Sequence, residues 1–326
     1  MAKLTIVQAL NACLGQEMKR DPDILLLGED IGVDGGVFRV TEGLLKKYGK
    51  GRVIDTPLAE SGIVGSAVGM AALGLRPVSE IQFCGFTALA YHQIVCHVAR
   101  MRNRTRGRFP MRMVIRVPYG GQIRALEHHG ESIETFYIHQ PGIMVVTPSS
   151  PYEAKGLLAS ALESEDPVLF LEPKKLYRAY KEEVPDERYA IPLGKANIAK
   201  SGNDISVITY GPSTHICLEA AEELEKEGIS AEVVDLRTLS PCDWGTVIDS
   251  VKKTGRAVVV QEAQKTLGFG AEIVARINEK AFYHLEAPPK RVAAWDTLIP
   301  LPHLENYYFP DSNRVKMAIR ETMKEG

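Results

Sequence analysis

The sequence predicts two α/β domains in series, the first on a doubly wound, mainly parallel sheet and the second smaller, and three observations carry that expectation. Apolar strand-like runs alternate with amphipathic or small-residue helical stretches along nearly the whole chain, the pattern of a parallel sheet covered by helices. The alternation fails once, from Glu172 to about Asn203, where Pro173, Pro185, Pro192 and Gly202 punctuate a charged segment. The length, 326 residues, exceeds what a single core of ~250–300 residues usually supports. The expected division is a first domain over residues 1–185, a linker over 186–203 and a second domain over 204–326.

The elements follow in order. Val7, Leu10, Leu14 and Met18 recur at helical spacing and predict an amphipathic helix that ends at the breaker Asp21-Pro22-Asp23. Ile24 to Leu27 is the first strand, followed by a helix over Thr41 to Tyr48, a strand over Arg52 to Asp55, a helix over Ser61 to Leu73 and a strand over Val78 to Phe83. Phe86 to about Arg104 reads as one helix, Met113 to Val117 and Ile143 to Thr147 as strands, Pro151 to Leu162 as a helix and Val168 to Leu171 as the closing strand. In the second domain, strands Ile205 to Tyr210, Glu232 to Leu236 and Ala257 to Gln261 alternate with helices Ser213 to Glu227, Asp243 to Lys253 and Phe269 to Phe282.

Composition narrows the function classes. With 39 basic and 41 acidic residues the net charge is −2, so no global field draws nucleic acid or anionic lipid. The most apolar stretch, Gly62 to Leu75, falls short of the ~20 residues of a membrane-spanning helix. Five scattered cysteines without a CxxC motif point away from a disulfide framework or a thiolate zinc site. A reducing compartment follows: the cytoplasm or, for a mature form, the mitochondrial matrix.

Candidate chemistry gathers after the predicted strands, whose carboxyl ends line the ligand crevice in an open α/β sheet. Gly28 to Gly36 fits neither the dinucleotide fingerprint nor a calcium loop and reads as a tight strand-to-helix turn, with Glu29 and Asp30 bordering any site. Glu60 opens a helix of small residues and has two readings. It is a carboxylate favoured by the helix dipole, worth ~0.3–1 kcal/mol, or one that exchanges a proton with a heteroaromatic cofactor. His128 and His129 lie in the loop Gln122 to Glu131, either as a surface pair or as proton-transfer groups. His92 and Cys96 would share a helix face, beside His97, without a third metal ligand at matching spacing. Arg100, Arg102, Arg104, Arg106, Arg108 and Arg112 form a basic cluster suited to a solvated face, a subunit contact or an anionic partner.

Longer segments, taken together, resemble a known family. Val7-Gln8-Ala9-Leu10, Gly28-Glu29-Asp30, Gly35-Gly36-Val37-Phe38, Asp55-Thr56-Pro57-Leu58-Ala59-Glu60, Glu80-Ile81-Gln82-Phe83, Pro141-Gly142-Ile143, Leu176-Tyr177-Arg178, Asp235-Leu236-Arg237-Thr238 and Lys253-Thr254-Gly255-Arg256 occur in order. The chain resembles, from about residue 4 to 320, the beta subunit of the thiamin-diphosphate-dependent first component of 2-oxo acid dehydrogenase complexes.

The resemblance implies a transketolase-like fold and oxidative decarboxylation of a 2-oxo acid with reductive acylation of a lipoyl group. It makes Glu60 the glutamate that hydrogen-bonds the cofactor's aminopyrimidine and favours its imino tautomer, and Phe86 the aromatic ring stacked on the pyrimidine. Leu58, Gln82 and Glu29 complete the cofactor-binding set, and His129 serves substrate handling and acyl transfer. The family usually places Ser after that histidine, where Gly130-Glu131 stand here.

Thiamin enzymes hold the diphosphate through Mg²⁺ on a Gly-Asp-Gly segment, which this chain lacks. The resemblance therefore implies an alpha subunit that holds Mg²⁺ and the diphosphate in an alpha2beta2 heterotetramer, a lipoylated acyltransferase core as second partner, and no nucleic acid or membrane. It also maps a monovalent cation site, for K⁺, to Met113, Ala161, Leu162, Ser164 and Asp166. Phe170 to Lys174 look like branched-chain enzymes and Cys84-Gly85-Phe86 like pyruvate enzymes. An acetoin dehydrogenase beta subunit and, from another class, a non-catalytic binding protein using the Arg100–Arg112 cluster are the alternatives.

Overall fold

The computed structural model describes residues 1–325, with every side chain except that of Glu127. Gly326, the last residue of the expected second domain, lies outside the described residues. The chain forms two compact units, residues 1–119 with 136–193, and residues 120–135 with 194–326. A boundary drawn along the sequence could not show that segment 120–135 groups with the carboxyl-terminal unit.

In the first unit the strands are β1 (Ala2–Leu4), β2 (Ile24–Gly28), β3 (Val53–Asp55), β4 (Arg76–Glu80), β5 (Val114–Tyr119), β6 (Met144–Val146), β7 (Val168–Pro173) and β8 (Glu182–Val184). Six of them form a parallel sheet in the order β6-β7-β5-β4-β2-β3. The unbroken apolar runs Ile24–Leu27 in β2 and Val168–Leu171 in β7 follow from burial on both faces. The chain passes from β2 to β3 on one side and from β4 to β5 on the other, so the topological switch falls between the adjacent strands β2 and β4. Register puts Gly28, Asp55 and Glu80 level at their carboxyl ends. Strands β1 and β8 pair antiparallel as a separate ribbon.

Helix Ile6–Arg20 starts at a capping box, in which Gln8 N donates to Thr5 Oγ1 and Thr5 N donates to Gln8 Oε1. It buries Leu10, Leu14 and Met18 against helix Pro151–Glu163, whose Leu157, Leu158 and Leu162 belong to the same core. The stretch expected as one helix from Phe86 to Arg104 is broken. A 3₁₀ turn (Cys84–Phe86), an α-helix (Thr87–Gln93), a π-turn (Ile94–Val98) and a short helix (Met101–Arg104) replace it. The helix expected over Thr41 to Tyr48 forms only over Leu44–Tyr48, after Gly43 at φ 78°.

The second unit contains β9 (Asn197–Lys200), β10 (Ile205–Thr209), β11 (Ala231–Asp235), β12 (Thr238–Ser240), β13 (Ala257–Gln264) and β14 (Lys290–Ala294). Its five-stranded sheet has the order β14-β13-β10-β11-β9, parallel except for β9. β9 lies inside the segment expected as linker and pairs with β11 as an edge strand, with Ala199 packed against the core. Val207, Val233 and Val258 meet Cys217, Leu224, Val315 and Ile319 of the covering helices Ser213–Glu225 and Ser312–Lys324 in its core.

Candidate active site

The switch point between β2 and β4 is where the fold itself places a ligand crevice, and the loops after β2, β3 and β4 supply most of the expected cofactor set. The loop after β2 folds back on itself, with Asp30, Gly35 and Gly36 at positive φ. Asp55, at the end of β3, accepts from Gly32 N at 2.5 Å and Val33 N at 3.1 Å, which pins the loop to the neighbouring strand. Gly36 has φ +80°, and a Cβ there would stand 3.2 Å from Glu80 Oε1, so the left-handed turn and the close approach both call for glycine.

Glu60 is the first residue of helix Glu60–Ala72 and is 6% exposed. Among the described residues no group donates a hydrogen bond to its carboxylate and no cation pairs with it. Its neighbour is another acid, the half-buried Glu29, whose carboxyl is held above its ordinary range first by burial and then by the charges of Asp30 and Glu60. Burying an ionised carboxylate without a donor is costly. A ring nitrogen that can carry a proton is the complement this arrangement lacks.

Phe86 closes the 3₁₀ turn after β4 and belongs to a chain of rings. Tyr177 packs on Phe38 (centroids 5.1 Å apart), Phe38 on Phe83 (5.6 Å) and Phe83 on Phe86 (5.5 Å). Gln82 and Phe86 are half-buried, whereas Leu58, two residues before the helix, is 67% exposed. Residues Glu29, Leu58, Glu60, Gln82 and Phe86 thus all lie in the first unit, on loops at one end of its sheet.

Beneath the crevice is a buried charge network that sequence reasoning missed. Arg116 Nη1 donates to Glu80 Oε2 at 2.6 Å, and its Nε and Nη2 donate to the two oxygens of Glu172 at 2.6 and 2.9 Å. Tyr177 Oη also donates to Glu172 Oε2, at 2.5 Å. Burial pushes the Tyr177 hydroxyl well above its ordinary range, and the Glu172 charge adds to it. The available signal was a charged residue within each of three apolar strands, at Glu80, Arg116 and Glu172.

His128 and His129 belong to the second unit, on the 3₁₀ turn Glu127–His129. Their rings lie 4.3 Å apart, and His129 N donates to Leu126 O at 3.0 Å. The π-turn brings His92 against His97, with ring centroids 5.3 Å apart, instead of setting it beside Cys96. Among the described residues no group of three His, Cys, Asp or Glu side chains could hold a metal.

The residues expected at a monovalent cation site are neighbours at one end of the sheet. Carbonyls of Met113, Ala161 and Asp166 accept from Val168 N, Ser164 N and Ser164 Oγ, and that of Leu162 accepts from Arg76 Nη1 at 2.8 Å. In the basic cluster, Arg102 pairs with Asp166 and Arg112 with Glu165, so part of that charge is neutralised.

Comparison with known proteins agrees with this fold. The chain matches the transketolase pyrimidine-binding domain over residues 2–179 and the transketolase C-terminal domain over residues 194–315. A solved structure, a split gene transketolase described as an inactive beta4 tetramer, aligns with a TM-score of 0.81 over 99% of both chains. At 22% identity that likeness concerns the fold alone. These two domains in this order define a transketolase-type thiamin-diphosphate enzyme.

The chain is also 53% identical over 324 residues to the pyruvate dehydrogenase E1 component subunit beta of Acholeplasma laidlawii, covering 99% of each chain. It is 52% identical over 324 residues to the protein of that name from Staphylococcus aureus, covering 99% of this chain and all of the relative. The chain belongs to the family of beta subunits of the thiamin-diphosphate-dependent first component of 2-oxo acid dehydrogenase complexes. The reading as a binding protein built on the arginine cluster is not favoured.

Proposed function

We propose that this subunit binds the aminopyrimidine half of thiamin diphosphate between β2 and β4, in a component that decarboxylates pyruvate and passes the acetyl group to lipoyl groups on an acyltransferase core. The observation that carries this reading is Glu60, a buried carboxylate without a donor among the described residues, opening the helix after β3 and close enough to Glu29, in the loop after β2, for their charges to interact. Bound thiamin diphosphate supplies the carbanion chemistry. Glu60 accepts the hydrogen bond of a ring nitrogen and holds its proton at the carboxylate oxygen. Glu29 stands beside it, and the Phe86 ring provides the apolar face for stacking. Leu58 and Gln82 border the ring. His129 handles the substrate and the acyl group.

The missing Gly-Asp-Gly segment supports a shared site, in which an alpha subunit of an alpha2beta2 heterotetramer holds Mg²⁺ and the diphosphate. Pyruvate is favoured over branched-chain acids and acetoin by the names of the relatives and by Cys84-Gly85-Phe86. A K⁺ ion among the carbonyls of Met113, Ala161, Leu162, Ser164 and Asp166 belongs to the same reading, in competition with the Arg76 guanidinium on Leu162. Domain boundaries at 1–185 and 204–326, joined by 186–203, are likewise part of it.

Reconstitution with an alpha-type partner and assay of pyruvate, branched-chain 2-oxo acids and acetoin tests the proposal. The assembled enzyme is expected to turn over pyruvate fastest, and the isolated chain to bind thiamin diphosphate weakly in calorimetry. Tight stoichiometric binding by the isolated chain would refute the shared site.

A further inference from the structure

We propose that Glu262 and Glu305 are positioning residues, which fasten the histidine loop 120–135 to the second unit and so fix where His129 stands. The inference rests on the role proposed above for His129.

The loop is closed at its neck, where Gly120 N donates to Glu131 O at 3.1 Å. Glu262, on β13 and 3% exposed, places one oxygen between the two sides of that neck. Its Oε1 accepts from Gly121 N at 2.7 Å and from Ser132 Oγ at 3.2 Å. Glu305, on the short helix Glu305–Tyr308 and also 3% exposed, divides its oxygens between two further backbone groups. Oε1 accepts from Gln122 N at 2.5 Å and Oε2 from Arg124 N at 2.9 Å.

Three backbone N–H groups outside any helix or strand are thereby satisfied by two buried carboxylates. The Gly121 N–H bond is buried and the other two are partly so; a buried donor left without an acceptor is expensive, so the two acids help to specify the path of the chain. That path is not one the loop would take alone. Gln122 has φ 63° and Arg124 φ 58°, both left-handed without being glycine, and such residues persist where surrounding contacts over-determine them. Gly121 lies between the two carboxylates, and a Cβ there would come within 2.1 Å of Phe309 Cζ. Beyond Ser132, Tyr210 Oη donates to Glu134 Oε1 at 2.6 Å and ties down the returning strand of chain. Four residues distant in sequence, Tyr210, Glu262, Glu305 and Phe309, thus hold the loop that carries the histidines.

An amide cannot replace Glu305, which uses both of its oxygens. A glutamine at 305 offers one acceptor oxygen and turns an N–H₂ group toward a second N–H, which frees one end of the loop.

The test uses the enzyme reconstituted with its alpha subunit and two readouts, reductive acylation of a lipoyl domain and hydrogen exchange of residues 120–135. Glu305→Gln is expected to slow acylation roughly 10- to 100-fold, the effect of misplacing a reacting group by about 1 Å, with thiamin diphosphate binding retained. Exchange should quicken in 120–135 and stay unchanged in β10. Glu305→Asp, which keeps two acceptor oxygens, should recover part of the rate and guards against simple misfolding. In a His129→Ala background Glu305→Gln should cost nothing more, because both act through one side chain. Acylation within twofold of wild type with unchanged exchange overturns the proposal, as do losses that multiply in the double variant. If His129→Ala alone acylates normally, the role of His129 fails separately, and the exchange result still decides whether the carboxylates hold the loop.

Discussion

Glu60 and Glu172 are buried carboxylates of the same unit, at 6% and 0% exposure, yet their surroundings differ in kind. Glu172 accepts two N–H bonds from Arg116 and the hydroxyl of Tyr177, so its charge is compensated within the chain. Glu60 has no donor among the described residues and an acid beside it. The contrast separates two uses of a buried acid. One has its lone pairs filled by the protein; the other is left open, as the proton exchange proposed for Glu60 requires.

If Arg116 is what makes the buried acids tolerable, Arg116→Leu leaves Glu80 and Glu172 without their cation and should lower stability by roughly 3–5 kcal/mol. Denaturant unfolding of the assembled enzyme measures this, and a loss under about 1 kcal/mol would remove the distinction between the two carboxylates. Tyr177→Phe removes only one donor to Glu172 and should cost about 1–3 kcal/mol, as for a hydrogen bond to a charged group. It should leave the ring contact with Phe38 in place, so unchanged cofactor affinity is expected alongside the stability loss.

Glu134, in the second unit, stands between these extremes, with donors in the Tyr210 hydroxyl and its own backbone N–H. Burial holds its carboxyl above the ordinary range, against the lowering effect of the Tyr210 hydroxyl. The folded state therefore keeps a proton that the unfolded state has released. The stability Glu134 contributes is complete below the ordinary carboxylate pKa and lost as pH rises through the raised value. Glu134→Gln cannot titrate, so its Tm relative to wild type should increase from about pH 4 to about pH 7. A constant difference would show that the group titrates normally. The smallest effect expected is a rise in Tm with KCl over NaCl at equal ionic strength, from K⁺ at the Met113–Asp166 carbonyls. Equal melting in the two salts argues against that site.

The same contrast explains what could be read in the sequence. Strands such as Ile24–Gly28 and Val168–Pro173 were legible because burial on both faces demands unbroken apolar runs. Glu60 was legible as a carboxylate opening a small-residue helix after a strand. The π-turn Ile94–Val98 was not, since it keeps helical composition while changing the hydrogen-bond period. β8 and β9 escaped notice because edge strands need few apolar residues. The Arg116 network joins residues 36 and 56 positions apart. Anchoring of the loop 120–135 depends on acids 141 and 183 positions away. Spacing along the chain records neither.

The most direct test of the account is Glu60→Gln in the reconstituted enzyme, with decarboxylation and Tm measured on the same preparation. The open carboxylate predicts loss of decarboxylation by at least about 10²-fold, the scale of a lost general acid–base group, with assembly intact and Tm at or above the wild-type value. Near-normal turnover, or a fall in Tm comparable to that of Arg116→Leu, would contradict it.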